Sequence, residues 1–350
     1  MKRIWRYTKR LLLLGTLMIV GLLLPVGYVE TMCRGDAEPK AYTALIAPAH
    51  HRPESRTLMT YPEWDIVHAY EDYARVINTA DPHDFSFFQS IGGFWSSLCS
   101  LTREASKHGH VDGETKQMVY VIGVSFTAEL LLKAAYEETI GRLFTALRGA
   151  ERAPLDDVSA RQASAYAEFL QQVPWYKWDF QTDEEELKTA ATGSLRDQER
   201  RFALGTEYGT KAAYADVIAN AVAQVGEDAL TLRMIVSGVN AAYFDRIRDV
   251  QVVGDHAEGL EIETPRYRAL THLLTKFAED EIDFVEIAGN DDIMFTALSA
   301  NTAEPGAIYS RARQGADDHR HLIVVKTVDL AARLRSLSDT GLILEHIHDY

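Results

Sequence analysis

Leu11-Leu-Leu-Leu-Gly-Thr-Leu-Met-Ile-Val-Gly-Leu-Leu-Leu-Pro-Val-Gly-Tyr28 contains no charged residue. At 1.5 Å per residue, a helix of this length crosses a hydrocarbon core of roughly 30 Å. Lys2, Arg3, Arg6, Lys9 and Arg10 precede it without an acidic residue. The positive-inside rule therefore keeps residues 1–10 cytoplasmic and sends the chain after residue 28 across the membrane. A cleaved signal peptide needs a shorter apolar region and a small-x-small exit. The exit here is Pro25-Val26-Gly27-Tyr28-Val29-Glu30-Thr31-Met32-Cys33, with no Ala-x-Ala. Residues 11–28 are accordingly read as a retained transmembrane anchor, the chain's contact with the membrane.

Outside this segment the composition is that of a globular chain, 47% hydrophobic and 25% charged. The formal charge is -15. With the five N-terminal cations and Glu30 set aside, 31 basic residues face 50 acidic ones. Such a surface repels nucleic acid and anionic headgroups, so no nucleic-acid partner is expected. Cys33 and Cys99 are the only cysteines. An even count in an oxidising compartment permits a disulfide, but the apolar, aromatic setting of Cys99 favours a free core thiol.

Residues 29–56, rich in Pro and Gly with little periodicity, read as a linker leading away from the membrane. His50-His51 within it reads as a solvated pair. A helical domain is expected over 57–248. Its first helix opens at Thr60-Tyr61-Pro62-Glu63-Trp64, with proline in the first turn and a carboxylate at the dipole's positive end. Ile66, Tyr70, Tyr73 and Ile77 form one apolar stripe. Asp65, His68 and Asp72 lie opposite and read as a solvated face with a His68–Asp72 pair, although Asp-x-x-His also places two metal donors together. Phe85, Phe88, Ile91, Phe94, Leu98 and Leu101 predict a second helix with an aromatic core face, where Gly92-Gly93 allows close approach of another backbone or a bend.

Met118–Leu132 is the second strongly apolar run. Glu129 and Lys133 fall inside any spanning window around it, and each ion costs roughly 2.5–3.5 kcal/mol at a helix centre. A buried core helix is the expectation, with the ions as an i,i+4 pair. Trp175-Tyr176-Lys177-Trp178-Asp179-Phe180 reads as an aromatic loop packed on the core. Residues 183–220 and 227–248 carry further helical patterns, the latter through Leu230, Leu232, Ile235, Val239, Ala242 and Tyr243.

From 249 to 350 the pattern shifts to short alternating strands. Strands are expected at 250–253 and 260–263, with a helix opening at Thr264-Pro265 and running to about Asp280. Asp283–Ala288 and Ile293–Ala300 flank Gly289-Asn290-Asp291-Asp292 as a hairpin. Strands over Ala307–Arg313, His321–Val328 and Leu342–His348, with a helix over Leu330–Ser338, complete the expectation. The fold class is thus mainly α with a C-terminal α+β domain, a ferredoxin-like sandwich by element order.

Catalytic signatures such as Gly-x-Ser-x-Gly, the phosphate-binding Gly-Lys-Ser/Thr loop, His-Glu-x-x-His and Cys-x-x-Cys are absent. His-x-His occurs at His108/His110, His319/His321 and His346/His348. Residues two apart share a strand face, so His321, His346 and His348 are the candidate ligands for a divalent metal.

Thr60-Tyr61-Pro62-Glu63-Trp64, Ser90-Ile91-Gly92-Gly93-Phe94-Trp95, Ile122-Gly123-Val124-Ser125-Phe126-Thr127 and Val173-Pro174-Trp175-Tyr176-Lys177-Trp178-Asp179-Phe180 resemble segments of a bacterial family of membrane-anchored proteins with no assigned activity. The resemblance covers the middle of the chain and implies a bacterial envelope setting, without catalytic residues. The sequence therefore leads to a membrane-anchored envelope protein, a non-enzymatic interaction or scaffold module with an envelope protein as partner. Metal binding or metal-dependent catalysis is the alternative.

Overall fold

The computed structural model describes residues 2–35, 42–225 and 230–348. The chain is mainly helical, with an antiparallel sheet region at its C-terminal end. Helix α1 (Lys2–Met32) carries the apolar stretch. Leu13, Leu17 and Leu24 on it are exposed, whereas Val29 in its last turn is buried. Just beyond, Cys33 is bonded to Cys99, with Cα atoms 5.0 Å apart. The helix thus passes without a break from a segment bare of protein into the folded body.

Residues 42–52 do not lead away as a free linker. The carboxylate of buried Glu286 accepts from Tyr42 Oη and from the Leu45 and Ile46 amides at 2.7, 2.7 and 3.0 Å. The Arg52 amide donates to Ala288, and Asn290 Nδ2 donates back to the Arg52 carbonyl. A buried carboxylate demands donors, and this strap supplies them.

Helices α2 (Glu54–Thr60), α3 (Pro62–Thr79), α4 (Phe87–Ala105) and α5 (Gly113–Tyr136) follow. Together with the end of α1 they bury Leu58, Met59, Phe94, Leu98, Phe126 and Leu130 in one core. Gly123 lets α5 approach α4, because a Cβ there would fall on the Phe94 ring. At Gly93 the close partner is the Arg311 guanidinium, not another helix backbone. A π turn, Glu137–Gly141, joins α5 to α6 (Arg142–Arg148). One face of α5 is buried through Val119, Phe126, Leu130 and Ala134, while Val121 and Leu132 on the other stay exposed. Among the described residues, two stretches, Gly15–Met32 and Gly113–Arg148, are long and apolar enough to cross a membrane. Helices α7 (Pro154–Leu170), α8 (Phe180–Ala190) and α9 (Leu195–Val225) form a third cluster, against which Trp175 and Trp178 pack.

The sheet region begins earlier than the strand pattern suggests. Residues 231–237, expected to be helical, form β1 (Thr231–Ser237). Leu232, Met234 and Val236 alternate into the core, and Ile235 is covered on the opposite face. Then come α10 (Ala241–Phe244), β2 (Gln251–His256), β3 (Gly259–Pro265), α11 (Arg268–Glu279) and β4 (Asp283–Ile287), in an antiparallel sheet of order β2-β3-β1-β4. Thr264 and Pro265 end β3 and do not open the helix. Thr264 pairs with Leu232, and α11 starts at Arg268, after Tyr267. The expected hairpin around Gly289 is a crossing between sheets, since β4 belongs to the first and β5 (Asp292–Ser299) to a second. That second sheet holds β6 (Ala307–Ala312), β7 (His319–Lys326) and, after α12 (Thr327–Ser336), β8 (Ile343–His348). Its order, β6-β7-β5-β8, repeats that of the first sheet.

The second sheet is buried on both faces. Phe295, Ile323 and Ile347 join the core shared by both sheets, α11 and α12, while Met294 and Leu322 join the helical core. Helix α3 lies on that second face, which decides where the polar residues of both end up.

Candidate functional site

Asp65, His68 and Asp72 do not face water. Each is at most 2% exposed, because the side of α3 opposite its apolar stripe meets the second sheet. The carboxylate of Asp65 accepts from Ser97 Oγ and pairs with Arg311 at 3.4 Å. Asp72 accepts from Arg75 Nη1 at 2.8 Å and from the Gln314 amide at 3.0 Å. His68 pairs with Glu71 at 3.0 Å rather than with Asp72, and its Nε2 lies 3.9 Å from Glu345 on β8. Arg320 on β7 grips both Glu345 oxygens at 2.5 and 2.6 Å and reaches Glu71 at 3.5 Å.

Burial alone would raise the Glu345 carboxyl, but the Arg320 guanidinium outweighs it and holds the group well below the usual carboxylate range. Burial likewise opposes the charge on Arg320, and Glu345 overrides it. Asp65, Glu71, Asp72 and Glu345 are thus met by Arg75, Arg311, Arg313 and Arg320, a charge-matched junction between helix and sheet. A second ionic cluster joins Arg148, Arg196 and Arg200 to Asp81, Asp156, Glu137 and Glu199.

The three histidines singled out as metal ligands are not brought together. His321 stands opposite Ala297, on the face shared with α12, whereas His346 and His348 stand opposite Thr296 and Met294 on the face toward α3. Both His321 ring nitrogens are engaged, with Ser310 Oγ at 2.9 Å and Ser299 Oγ at 3.0 Å. His346 stacks on Trp64 with ring centroids 3.8 Å apart, and its Nδ1 meets Thr271 Oγ1 at 3.1 Å. Burial lowers its pKa to about 3, which leaves a neutral ring. His348 is driven well below its ordinary value by burial, with His346 adding to it. Among the described residues, the donor set at this junction is His68, Glu71 and Glu345. Arg320 already engages its two carboxylates, which opposes a cation there. His108, from another His-x-His, pairs with buried Glu54 at 2.9 Å.

In front of Trp64 the molecule opens. A cleft of about 670 Å³ lies between residues 49–64 and the first sheet. Tyr61 and Trp64 from the helices and His348 from β8 line one side; Arg233, Glu263, Arg266 and Tyr267 line the side of the first sheet. Arg56 and the His50-His51 pair also border it. Buried Arg266 places its guanidinium 4.8 Å from the Tyr267 ring centroid. Tyr267 has φ 63° and ψ -139°, a conformation costing a non-glycine residue about 1–3 kcal/mol and concentrated at functional sites. The sequence carried no local signal for this cleft. Its arginines come from segments about 180 residues apart, and the lining residues that drew notice did so for other reasons: Tyr61, Glu63 and Trp64 as helix-opening residues, His50-His51 as a solvated pair and His348 as a metal ligand.

Comparison with family models, curated proteins and solved structures finds no match.

Proposed function

We propose that this chain is a membrane-anchored cell-envelope protein acting as a non-enzymatic interaction module, with a cytoplasmic N-terminus and an extracytoplasmic body. The observation carrying the reading is the continuity of α1. Its exposed apolar turns run directly into Val29 and Cys33, which are core residues, and the Cys33–Cys99 bond fastens the helix end to α4. Glu30 adds an ion pair with Lys116 at 3.1 Å and accepts from Tyr120 Oη at 2.6 Å. Proteolytic release of the apolar segment would cut close to residues the body packs around, which favours a retained anchor. A disulfide also suits an oxidising compartment.

The ions of α5 support a single crossing. Lys133 lies 2.8 Å from Glu207, and Lys211 lies 3.0 Å from both Glu129 and Glu207. Partners on α9 make Glu129 and Lys133 parts of a folded body, where a bilayer would offer them no compensation. The body itself supports a ferredoxin-like reading of its C-terminal part. Residues 231–287 follow the order strand, helix, two strands, helix, strand, and residues 292–348 repeat it without the first helix.

Two measurements test the proposal together. Intact-mass analysis of membrane-extracted protein should return the chain with residues 2–28 still attached. Reporter fusions after residues 110 and 160 should both give the extracytoplasmic signal. Loss of the first segment, or opposite signals from the two fusions, refutes it. Affinity capture from crosslinked membranes should return a partner; recovery of this chain alone counts against the interaction role.

A further inference from the structure

We infer that the outer face of α5 and α6 is a membrane-docking surface, which seats the folded body on the bilayer that α1 crosses. The inference rests on the anchoring proposed above and adds a second lipid contact to it. Val121, Leu132, Ile140, Leu143 and Leu147 are each between 44% and 73% exposed. From Val121 to Leu147 the chain makes about seven helical turns, with the π turn at Glu137–Gly141 absorbing one extra residue, so these side chains keep to one stripe. Glu138 and Arg142, the exposed ions of this stretch, pair with each other at 2.6 Å. Glu129 and Lys133 turn away toward Lys211 and Glu207 on α9. A long apolar row left uncovered marks a protein or membrane contact.

The course of α1, α4 and α5 makes lipid the occupant. Cys33 is bonded to Cys99, Arg103 Nη2 donates to the Met32 carbonyl at 3.1 Å, and Gly35 lies against Ser106. The end of α1 therefore advances in the same sense as the end of α4. Residues 106–112 join α4 to α5 as an antiparallel hairpin, in which Trp95 Nε1 donates to Thr127 Oγ1 at 2.9 Å and Gly123 lies against Phe94. Helix α5 starts beside the end of α1, where Lys116 and Tyr120 meet Glu30. It then runs back toward the side from which α1 comes. Leu132 lies about 18 Å and Leu147 about 40 Å along the helix beyond Tyr120. The apolar row is thus carried toward the bilayer surface that α1 leaves. Leu13, Leu17 and Leu24 of α1 are themselves exposed, so the anchor does not cover the row.

An amphipathic helix in this position lies in the interface with its apolar face sunk by about 5–10 Å toward the acyl chains. The other side of α5, with Val119, Phe126, Leu130 and Ala134, stays in the helical core. Apolar burial and not charge drives the contact, because the acidic excess of the chain repels anionic headgroups. Docking is therefore expected on a zwitterionic bilayer. Two attachments, α1 and the α5–α6 face, would fix the orientation of the body on the membrane.

The test uses the full chain reconstituted in phosphatidylcholine vesicles with and without doxyl-labelled lipid. The two native cysteines are bonded to each other, so a thiol introduced by Leu143→Cys or Leu147→Cys carries an NBD fluorophore alone. Leu17→Cys reports the anchor, and Val328→Cys, at an exposed apolar residue of α12, is the control. Doxyl quenching at positions 143 and 147 is expected to exceed that at 328 about threefold. Either position serves if the other variant fails to fold. Quenching at 17 with none above the control at 143 and 147 overturns the inference and leaves the anchor standing. Quenching at 143 and 147 without quenching at 17 keeps the lipid-facing row and refutes the anchor; no quenching at any of them refutes both. A blue-shifted but unquenched label at 143 and 147 assigns the row to a protein contact and also overturns the inference.

Discussion

Replacing Arg320 by Met tests the junction that joins the helices to the second sheet. Arg320 is 2% exposed and donates two hydrogen bonds to Glu345 at 2.5 and 2.6 Å. Methionine roughly keeps the aliphatic stem and removes the charge. Glu345 would keep only Arg313 at 3.5 Å and His68 at 3.9 Å, while Glu71 would keep His68. Removing one partner of a buried ion pair costs about 3–5 kcal/mol, because the remaining charge stays out of water. Glu345→Leu alone should cost a similar amount, by stranding the guanidinium. The double variant Arg320→Met/Glu345→Leu should recover part of the loss, since an apolar pair of comparable volume often replaces a buried ion pair at little cost. Urea unfolding at pH 8, followed by tryptophan fluorescence, reads the effect on the junction because Trp64 stacks on His346 beside it. A cost below about 1 kcal/mol for Arg320→Met, or a double variant no more stable than the worse single one, would refute the reasoning.

Acid should destabilise the same junction. The folded-state pKa of His346 lies below its unfolded value of 6.5, at about 3. The unfolded chain therefore binds the extra proton first, and stability falls as pH drops from 6.5 toward 3. The full span is worth about 5 kcal/mol at roughly 1.4 kcal/mol per pH unit. His346→Phe should flatten that fall, and a slope unchanged by it would exclude His346 as the source. Gly123→Ala should cost about 1–3 kcal/mol by forcing a methyl against the buried Phe94 ring, whereas Gly92→Ala, with open space around it, should be neutral or up to about 1 kcal/mol stabilising. Equal thermal midpoints for the two variants would refute the α4–α5 packing. Cys33→Ser/Cys99→Ser removes a cross-link spanning 66 residues and should lower stability by about 4 kcal/mol in the loop-entropy picture, read as a lower melting temperature that reductant no longer affects. An undiminished midpoint would show that the helix end is held by packing alone.

Local features of the sequence translated well into local structure. Pro62 and Glu63 do open α3, the aromatic run at 85–101 falls largely within α4, which continues to Ala105, and the alternating segments near 307, 321 and 343 lie in β6, β7 and β8. What stayed hidden depended on partners distant in the chain. Leu232 and Ile235 fit a helical spacing as readily as β1, and only pairing with β3 and β4 selects the strand. The bridge between Cys33 and Cys99 is not favoured by the sequence because it requires α1 and α4 to meet. Arg56, Arg233 and Arg266 give no sign in sequence that they border one cleft.

Helix α3 shows why amphipathicity can mislead. Its apolar stripe predicts one buried side, and the inference that the other side is wet assumes a single neighbour. Here a second neighbour arrives more than 200 residues later, bringing Arg311, Gln314, Arg320 and Glu345 to Asp65, His68, Glu71 and Asp72. A polar helix face is therefore compatible with burial when the opposing surface carries charges of opposite sign to meet it. The excess of acidic residues along the chain conceals this, because the net charge averages over a surface that is acidic and two internal places that are not. One is the charge-matched junction behind Trp64, and the other is the arginine-lined cleft in front of it. Trp64 separates them, stacked on His346 at 3.8 Å and lining the cleft. Trp64→Ala should consequently lower the stability of the junction, read by urea unfolding followed by far-UV circular dichroism, whereas Arg56→Glu, at an exposed side chain, should leave it unchanged.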